Sequence, residues 1–286
     1  MAISSYADAF GAQWRRYSRT QLDSYTGTTI SRDRLRRCLG EELWEGLSGR
    51  KVLEAGCGAG RFTEVLLERG AILTSVDLSD AVVANAENFP PSETHTIRQA
   101  DINDLPFEPG GFDVVVCLGV IQHTPSPEQT IRNLARQVRP GGWLVIDHYS
   151  YDRAWLSWHT KTAPLFRLVL KRVSRASPQR GLRATEAIVR SMFPLHRWAS
   201  KYAVVSALLT RISPVQTYFR LFPQIPADKQ LEWSLLDTHD SLTDWFKHFR
   251  TKAQIRRAME AAGVTPERCE YGGNGVEARG RRIAAS

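Results

Sequence analysis

The sequence predicts an α/β fold built on a mostly parallel sheet with helices on both faces, and three observations carry that prediction. Between residues 50 and 150, short β-rich runs alternate with helical stretches. The run Val114-Val115-Val116 is apolar without alternation, the pattern of a strand covered on both sides. A glycine-rich turn, Gly56-Cys57-Gly58-Ala59-Gly60, joins the first strand of that zone to its first helix.

Residues 1–48 set aromatics among charges (Phe10, Trp14, Tyr17, Tyr25, Trp44), include a helical stretch over Arg34–Leu47, and read as a helical N-terminal cap. Residues 49–150 form the core. Strands are expected at Lys51–Ala55, Ile72–Asp77, His95–Ala100, Asp113–Leu118 and Trp143–His148, with helices at Thr63–Glu68, Ala81–Asn88 and Glu128–Val138. Residues 151–250 read as a helical insertion. Within it Leu195, Trp198, Tyr202, Val205, Leu209 and Ile212 recur at steps of three and four, one helix face bracketed by Pro194 and Pro214. The α/β pattern resumes over 251–286. Thr251 caps a helix running to Ala262, Gly263 closes it, and strands Val264–Tyr271 and Val276–Ile283 flank the turn Gly272-Gly273-Asn274.

Composition excludes several classes. With 42% hydrophobic residues in 286, the chain can bury a substantial core and is not broadly disordered. No apolar run approaches about 18 residues, so no membrane span is expected. The N-terminus lacks a basic start followed by an apolar run, and the four cysteines (Cys38, Cys57, Cys117, Cys269) show no paired spacing. The expectation is a cytoplasmic protein with no metal site and no disulfide framework. The net charge of +8 is local: residues 151–232 carry 14 Lys and Arg against 4 acids. Interleaved with Trp155, Trp158, Trp198 and Trp233, this block is expected to meet phosphate, carboxylate or the surface of an anionic membrane. Pro164–Arg172 has the character of an interfacial amphipathic helix.

The motif that carries the chemistry is Val52-Leu53-Glu54-Ala55-Gly56-Cys57-Gly58-Ala59-Gly60-Arg61-Phe62. An apolar strand ends in an acid, glycines alternate, and a helix follows. A G-x-G-x-x-G dinucleotide fingerprint fails, because the sixth position is Arg61. The alternating pattern resembles instead the class I S-adenosylmethionine-dependent methyltransferases. The likeness continues through Val76-Asp77-Leu78-Ser79, Ala100-Asp101-Ile102-Asn103-Asp104-Leu105-Pro106-Phe107, Phe112 to Thr124, and Val138-Arg139-Pro140-Gly141-Gly142-Trp143. More loosely, Phe10-Gly11-Ala12-Gln13-Trp14, Leu236-Asp237-Thr238, His248 and Glu277-Ala278-Arg279-Gly280 resemble members from glycan and natural-product pathways.

The resemblance implies a Rossmann-like, mostly parallel seven-stranded sheet, with the insertion acting as a lid over the acceptor. It also implies S-adenosyl-L-methionine as methyl donor. Glu54 would take the methionyl amine, and the amides of Gly56–Gly60 the carboxylate. Asp77 would take the ribose hydroxyls, Asp101 the adenine amine, and Ile102 would lie on the ring. Ala55, Cys57, Gly58, Leu78 and Leu118 complete that crevice. His123 is the first candidate for a base and His148 the second, while His123 as a brace for its loop is the alternative. His159, His239 and His248 are expected to be solvated. Trp14, Gln21 and Tyr25 either close over the cofactor or pack on the domain edge.

The acceptor implied is a small molecule or a sugar- or lipid-linked one, methylated on oxygen. The alternatives are a quinone or natural-product C- or N-methyltransferase, a nucleic-acid methyltransferase, and a non-catalytic binding module. Leu118-Gly119-Val120-Ile121 lacks the proline-rich grip of base-modifying members, which argues against nucleic acid.

Overall fold

The computed structural model describes residues 3–150 and 159–284. They fall into two compact units, one within Met1–Thr28 and Arg153–Trp245, the other within Thr29–Asp152 and Phe246–Ser286. The first is helical: α1 (Ile3–Arg16) and α2 (Asp23–Thr26) precede the second unit in the chain. The α/β unit then supplies α3 (Ile30–Leu39), α4 (Glu41–Glu45), β1 (Lys51–Ala55), α5 (Thr63–Glu68), β2 (Ile72–Asp77), α6 (Ala81–Asn88), β3 (His95–Gln99) and β4 (Phe112–Cys117). A 3-10 turn (Ile121–His123), α7 (Pro127–Gln137) and β5 (Val138–His148) follow. The helical unit resumes with α8 (His159–Ala176), α9 (Pro178–Ala199), α10 (Ala203–Ile212) and α11 (Ala227–Thr243). The α/β unit ends with α12 (Lys252–Ala261), β6 (Val264–Gly272) and β7 (Gly275–Arg282).

The seven strands lie in the order β3-β2-β1-β4-β5-β7-β6. Pairs among β1 to β5 are parallel, and β7 runs antiparallel to both β5 and β6. The chain turns one way from β1 to β2 and the other way at β4, so the topological switch point, where open α/β sheets bind their ligands, lies at the carboxyl ends of β1 and β4. Alternate side chains explain the two-sided burial. Leu53, Val115 and Cys117 pack on one face with Ile131, Leu134 and Met259 from α7 and α12. Val52, Val114 and Val116 pack on the other with Leu35, Leu39, Leu43, Trp44 and Leu66 from α3 to α5.

Several boundaries differ from the sequence reading. The N-terminal zone is not one cap, because α3 and α4 cover a face of the sheet and belong to the α/β unit. The single helix expected over Arg34–Leu47 is two, broken at Gly40, whose φ of 74° only glycine adopts freely. The expected helix face over Leu195–Ile212 is likewise split between α9 and α10. Pro194 sits inside α9, and the break falls at Ser200–Tyr202, where Tyr202 is extended. The capping box on α12 matches expectation: Thr251 Oγ1 accepts from Gln254 N, and Gln254 Oε1 from Thr251 N. Trp155 and Trp158 lie outside the described residues.

In the helical unit, Tyr17, Val189, Val215, Leu235 and Leu236 form one core. Trp233 Nε1–H donates to the Thr20 carbonyl, Gln21 Nε2 to Asp237 Oδ1 (3.0 Å), and Tyr25 Oη–H to Glu232 Oε1 (3.2 Å). The Gln21 and Tyr25 side chains therefore pack against α11 within this unit.

Candidate functional site

The glycine turn after β1 closes on its own protein. Gly56 and Cys57 N–H both donate to the Val76 carbonyl (2.8 and 2.9 Å), Gly60 N–H to the Cys57 carbonyl (3.0 Å), and Gly58 N–H to Asp77 Oδ2 (2.9 Å). Of these four amides expected to face a carboxylate, three anchor the turn to the end of β2 and the fourth closes the turn on itself. Glycine is still obligatory. A Cβ at Gly56 would lie 2.3 Å from a Val120 methyl, and one at Gly60 2.7 Å from the Phe89 ring, with φ of 81° and 105° respectively. The space the sequence reading assigned to a ligand is, at these two points, taken by Val120 and Phe89. Gly56→Ala is expected to lower stability by about 2–4 kcal/mol, from overpacking together with left-handed strain. Gly56→Ala/Val120→Ala should recover only part of the loss in a thermal melt, because the φ penalty persists.

Glu54 is buried, and its surroundings are half satisfied. Oε2 accepts from Thr63 Oγ1 (2.6 Å) and Ser75 Oγ (2.9 Å); Thr63 in turn accepts from Asn85 Nδ2 (2.9 Å). Oε1 is buried with no hydrogen-bond partner. Burial pushes the Glu54 carboxyl up to about 7 against the pull of those two hydroxyls, and the charge of Asp77 adds to the rise. Asp77 holds the turn: besides Gly58 N–H, its Oδ1 accepts from Ser79 N (2.9 Å) and Ser79 Oγ (2.7 Å). A carboxylate offers about four lone-pair positions. Three are used, which leaves capacity for a ligand hydroxyl.

An ammonium fits the orphaned Oε1 of Glu54, since it would satisfy a buried acceptor and favour its charged form. These carboxylate acceptors are therefore compatible with the amine of S-adenosylmethionine at Glu54 and a ribose hydroxyl at Asp77.

The remaining expected cofactor residues are more enclosed. Asp101 Oδ1 accepts from Asn103 N (2.8 Å) and Asn103 Nδ2 (3.1 Å), forming a turn that Thr130 fastens through Asn103 Oδ1 (2.9 Å). Ile102 is buried in the core with Leu53 and Val76 rather than laid open as a platform. Ala55, Cys57 and Leu118 are buried; Leu78 is half-buried, and its carbonyl accepts from Gln99 Nε2 (2.9 Å). Burial holds the Cys57 thiol well above its usual range, so it is not a nucleophile.

A second polar cluster forms at the ends of β4 and β5. His123, in the 3-10 turn, donates from Nδ1 to the Phe246 carbonyl (3.1 Å) and sets its ring edge-on to Tyr149 at 5.4 Å. That bond leaves the lone pair on Nε2. His148, fully buried, donates from Nδ1 to the Tyr149 carbonyl (2.8 Å), and its Nε2 has no partner. Burial and the Arg250 charge hold His148 down at about 4, so it is neutral at physiological pH.

Sequence reasoning gave Gln122 no role and expected His248 to be solvated. Gln122 is fully buried, with neither its amide nitrogen nor its oxygen bonded. His248 is half-buried rather than solvated; its N–H donates to the Gln122 carbonyl (2.9 Å), and its Nε2 is buried without a partner. Burial first, then Arg250, lowers its pKa. The main chain of Arg250 bonds back to Tyr149, and its side chain to Glu128 (2.6 Å). The long insertion therefore leaves the α/β unit and returns to it at this cluster. His239 also departs from expectation: it is buried in the helical unit, hydrogen-bonded to Thr185 Oγ1 (3.1 Å), and pushed down to about 4 by burial. Among the described residues, no group of acids, histidines and cysteines has the arrangement of a metal site.

Comparisons with known proteins agree with this architecture. Residues 53–146 match a family model described as a methyltransferase domain. Residues 53–146, about a third of the chain, are thus similar to a methyltransferase domain. The chain is similar to the ubiquinone biosynthesis O-methyltransferase of Pseudomonas aeruginosa, at 40% identity over 104 residues, 35% of this chain and 45% of that protein. The enzyme of the same name from Coxiella burnetii is 36% identical over 102 residues, covering 35% and 44%. The chain thus spans less than half the length of the curated relatives it matches. A chain from the complex between the Haloferax volcanii Trm112 methyltransferase activator and a methyltransferase superposes over 96% of this protein and 98% of its own length. Its TM-score is 0.53 at 12% identity, a likeness of fold alone.

Proposed function

We propose that the protein transfers a methyl group from S-adenosylmethionine to an oxygen of a small-molecule or lipid-linked acceptor. The observation that carries this reading is that three buried polar groups at or beyond the carboxyl ends of β1, β4 and β5 have unpartnered atoms: Glu54 Oε1, the Gln122 amide and His148 Nε2. Each buried unmade bond costs about 1–3 kcal/mol, which a polar ligand would recover. Glu54 would hold the amine of the bound cofactor and Asp77 its ribose, and Asp101 would receive the adenine amine. When bound, the cofactor supplies a methyl already activated on a sulfonium.

The protein therefore contributes position and proton removal. His123, with Nδ1–H fixed on the Phe246 carbonyl, would receive the acceptor hydroxyl proton at Nε2. Gln122 and the neutral His148 would orient the acceptor oxygen through donor and lone pair. O-methylation is favoured over carbon because these groups suit a hydroxyl; the relatives named above are O-methyltransferases.

The test supplies methyl-deuterated S-adenosylmethionine together with phenolic acceptors, with and without a polyprenyl tail. Label is expected on an acceptor oxygen, with stoichiometric S-adenosylhomocysteine. Label on carbon or nitrogen, or no turnover across the panel, would overturn the assignment.

A further inference from the structure

The helical unit carries an apolar surface that its own core does not use. On α8, Leu170 and Ser174 face inward. The helix is fixed in rotation by Arg167 Nε donating to Asp244 Oδ1 (2.8 Å) and Lys171 Nζ to the Trp245 carbonyl (2.8 Å). That orientation turns Leu165, Leu168 and Val169 outward, spaced by three and four, with Leu165 70% exposed. Arg172 continues the same stripe one turn on. The neighbouring helix α10 buries no residue at all. Val204, Leu208 and Ile212 recur on it every fourth position, and Val204 is 72% exposed. Trp198 and Tyr202, leading into α10, are about half exposed with ring centroids 5.5 Å apart. Helix α10 packs beside both α8 and α9, so these residues belong to adjoining helices.

The charge around this surface has one sign. Residues 159–226 contain twelve Lys and Arg and a single acid, Glu186, which is bonded to Arg190 (2.8 Å). Arg172, Arg197, Lys201 and Arg211 are exposed and make no ion pair among the described residues. Apolar side chains next to exposed aromatics and unpaired cations form the pattern of a helix that lies in a bilayer interface. Neither helix is long and apolar enough to cross a membrane. A second copy of this chain would bring like charges together, which disfavours self-association.

We infer that the outward faces of α8 and α10 dock this protein on the surface of an anionic lipid bilayer. The apolar side chains enter the headgroup boundary while the arginines and lysines meet lipid phosphates. This docking is independent of the methyl-transfer reading.

The test is co-sedimentation of the full chain with vesicles of phosphatidylcholine alone and of phosphatidylcholine containing one-third phosphatidylglycerol. Binding is expected to be at least about tenfold stronger on the anionic vesicles and to weaken as salt is raised. Leu168→Asp/Leu208→Asp should abolish binding at every salt concentration, while circular dichroism and S-adenosylmethionine affinity stay at wild-type values. Lys201→Glu/Arg211→Glu, which leaves the apolar face intact, should remove the preference for anionic lipid. Equal partitioning onto both vesicles, or no binding to either, would overturn the inference. So would a concentration-dependent dimer that the Leu168→Asp/Leu208→Asp variant dissociates without any vesicle binding by wild type.

Discussion

Glu54→Gln is expected to remove the pH dependence of S-adenosylmethionine binding and to weaken binding roughly ten- to hundredfold at pH 8. In the free protein the Glu54 carboxyl sits at about 7 because its charge is buried and one oxygen has no partner. An ammonium placed against Oε1 favours the carboxylate, so binding releases a proton below that value. Wild-type affinity should therefore climb roughly tenfold from pH 6 to 8 and then level off. The variant has no proton to release and should be flat. The loss at pH 8 corresponds to a hydrogen bond to a charged group, about 1.5–3 kcal/mol. Calorimetry in buffers of different ionisation enthalpy reads the proton release directly.

The same residue links stability to pH in the cofactor-free protein. Its folded pKa is raised above the unfolded value of about 4.5, so its contribution is fully present below 4.5 and is lost as pH rises through about 7. The stability of Glu54→Gln relative to wild type should grow by about 3 kcal/mol between pH 4.5 and 8. Buried His148 and His239, both held down near 4, act in the opposite direction in wild type and variant alike. The difference between the two proteins isolates Glu54.

His123→Ala is expected to lower kcat about 10²–10⁴-fold, the range for a general base, with S-adenosylmethionine affinity unchanged. The ring also braces its turn through the Phe246 carbonyl and Tyr149, so some thermal stability will be lost with it. Added imidazole separates the two roles. A base is restored by a small imidazole in the vacated space, and a brace is not.

Much of the scaffold was legible in the sequence because local signals and burial agree. The ends of β1, β2, α5 and α6 fall where the apolar runs and the glycine turn place them, since each strand is covered on both faces and cannot slip register cheaply. Breaks that depend on one backbone angle were not legible: Gly40 reads as a tolerable helix residue until its left-handed φ is seen. In the candidate site, the acids of β1 and β2 could be named from the sequence, but the groups they bond could not. Residue spacing cannot show that Asp77 binds the amide of Gly58, or that Val120 fills the space above Gly56. Gln122 was missed because a glutamine beside a histidine has no pattern of its own; only its complete burial without a partner marks it. His248 was expected to be solvated because it lies 125 positions from His123, and only the folded chain brings its N–H to the Gln122 carbonyl.

Calorimetric titration of S-adenosylmethionine into wild type and Asp77→Ala at pH 8 decides whether the ends of β1 and β2 hold the cofactor. One equivalent should bind to wild type, and the variant, folded by circular dichroism, should bind at least about tenfold more weakly through loss of the ribose acceptor. No heat with wild type, or equal affinity in the two proteins, would contradict that placement.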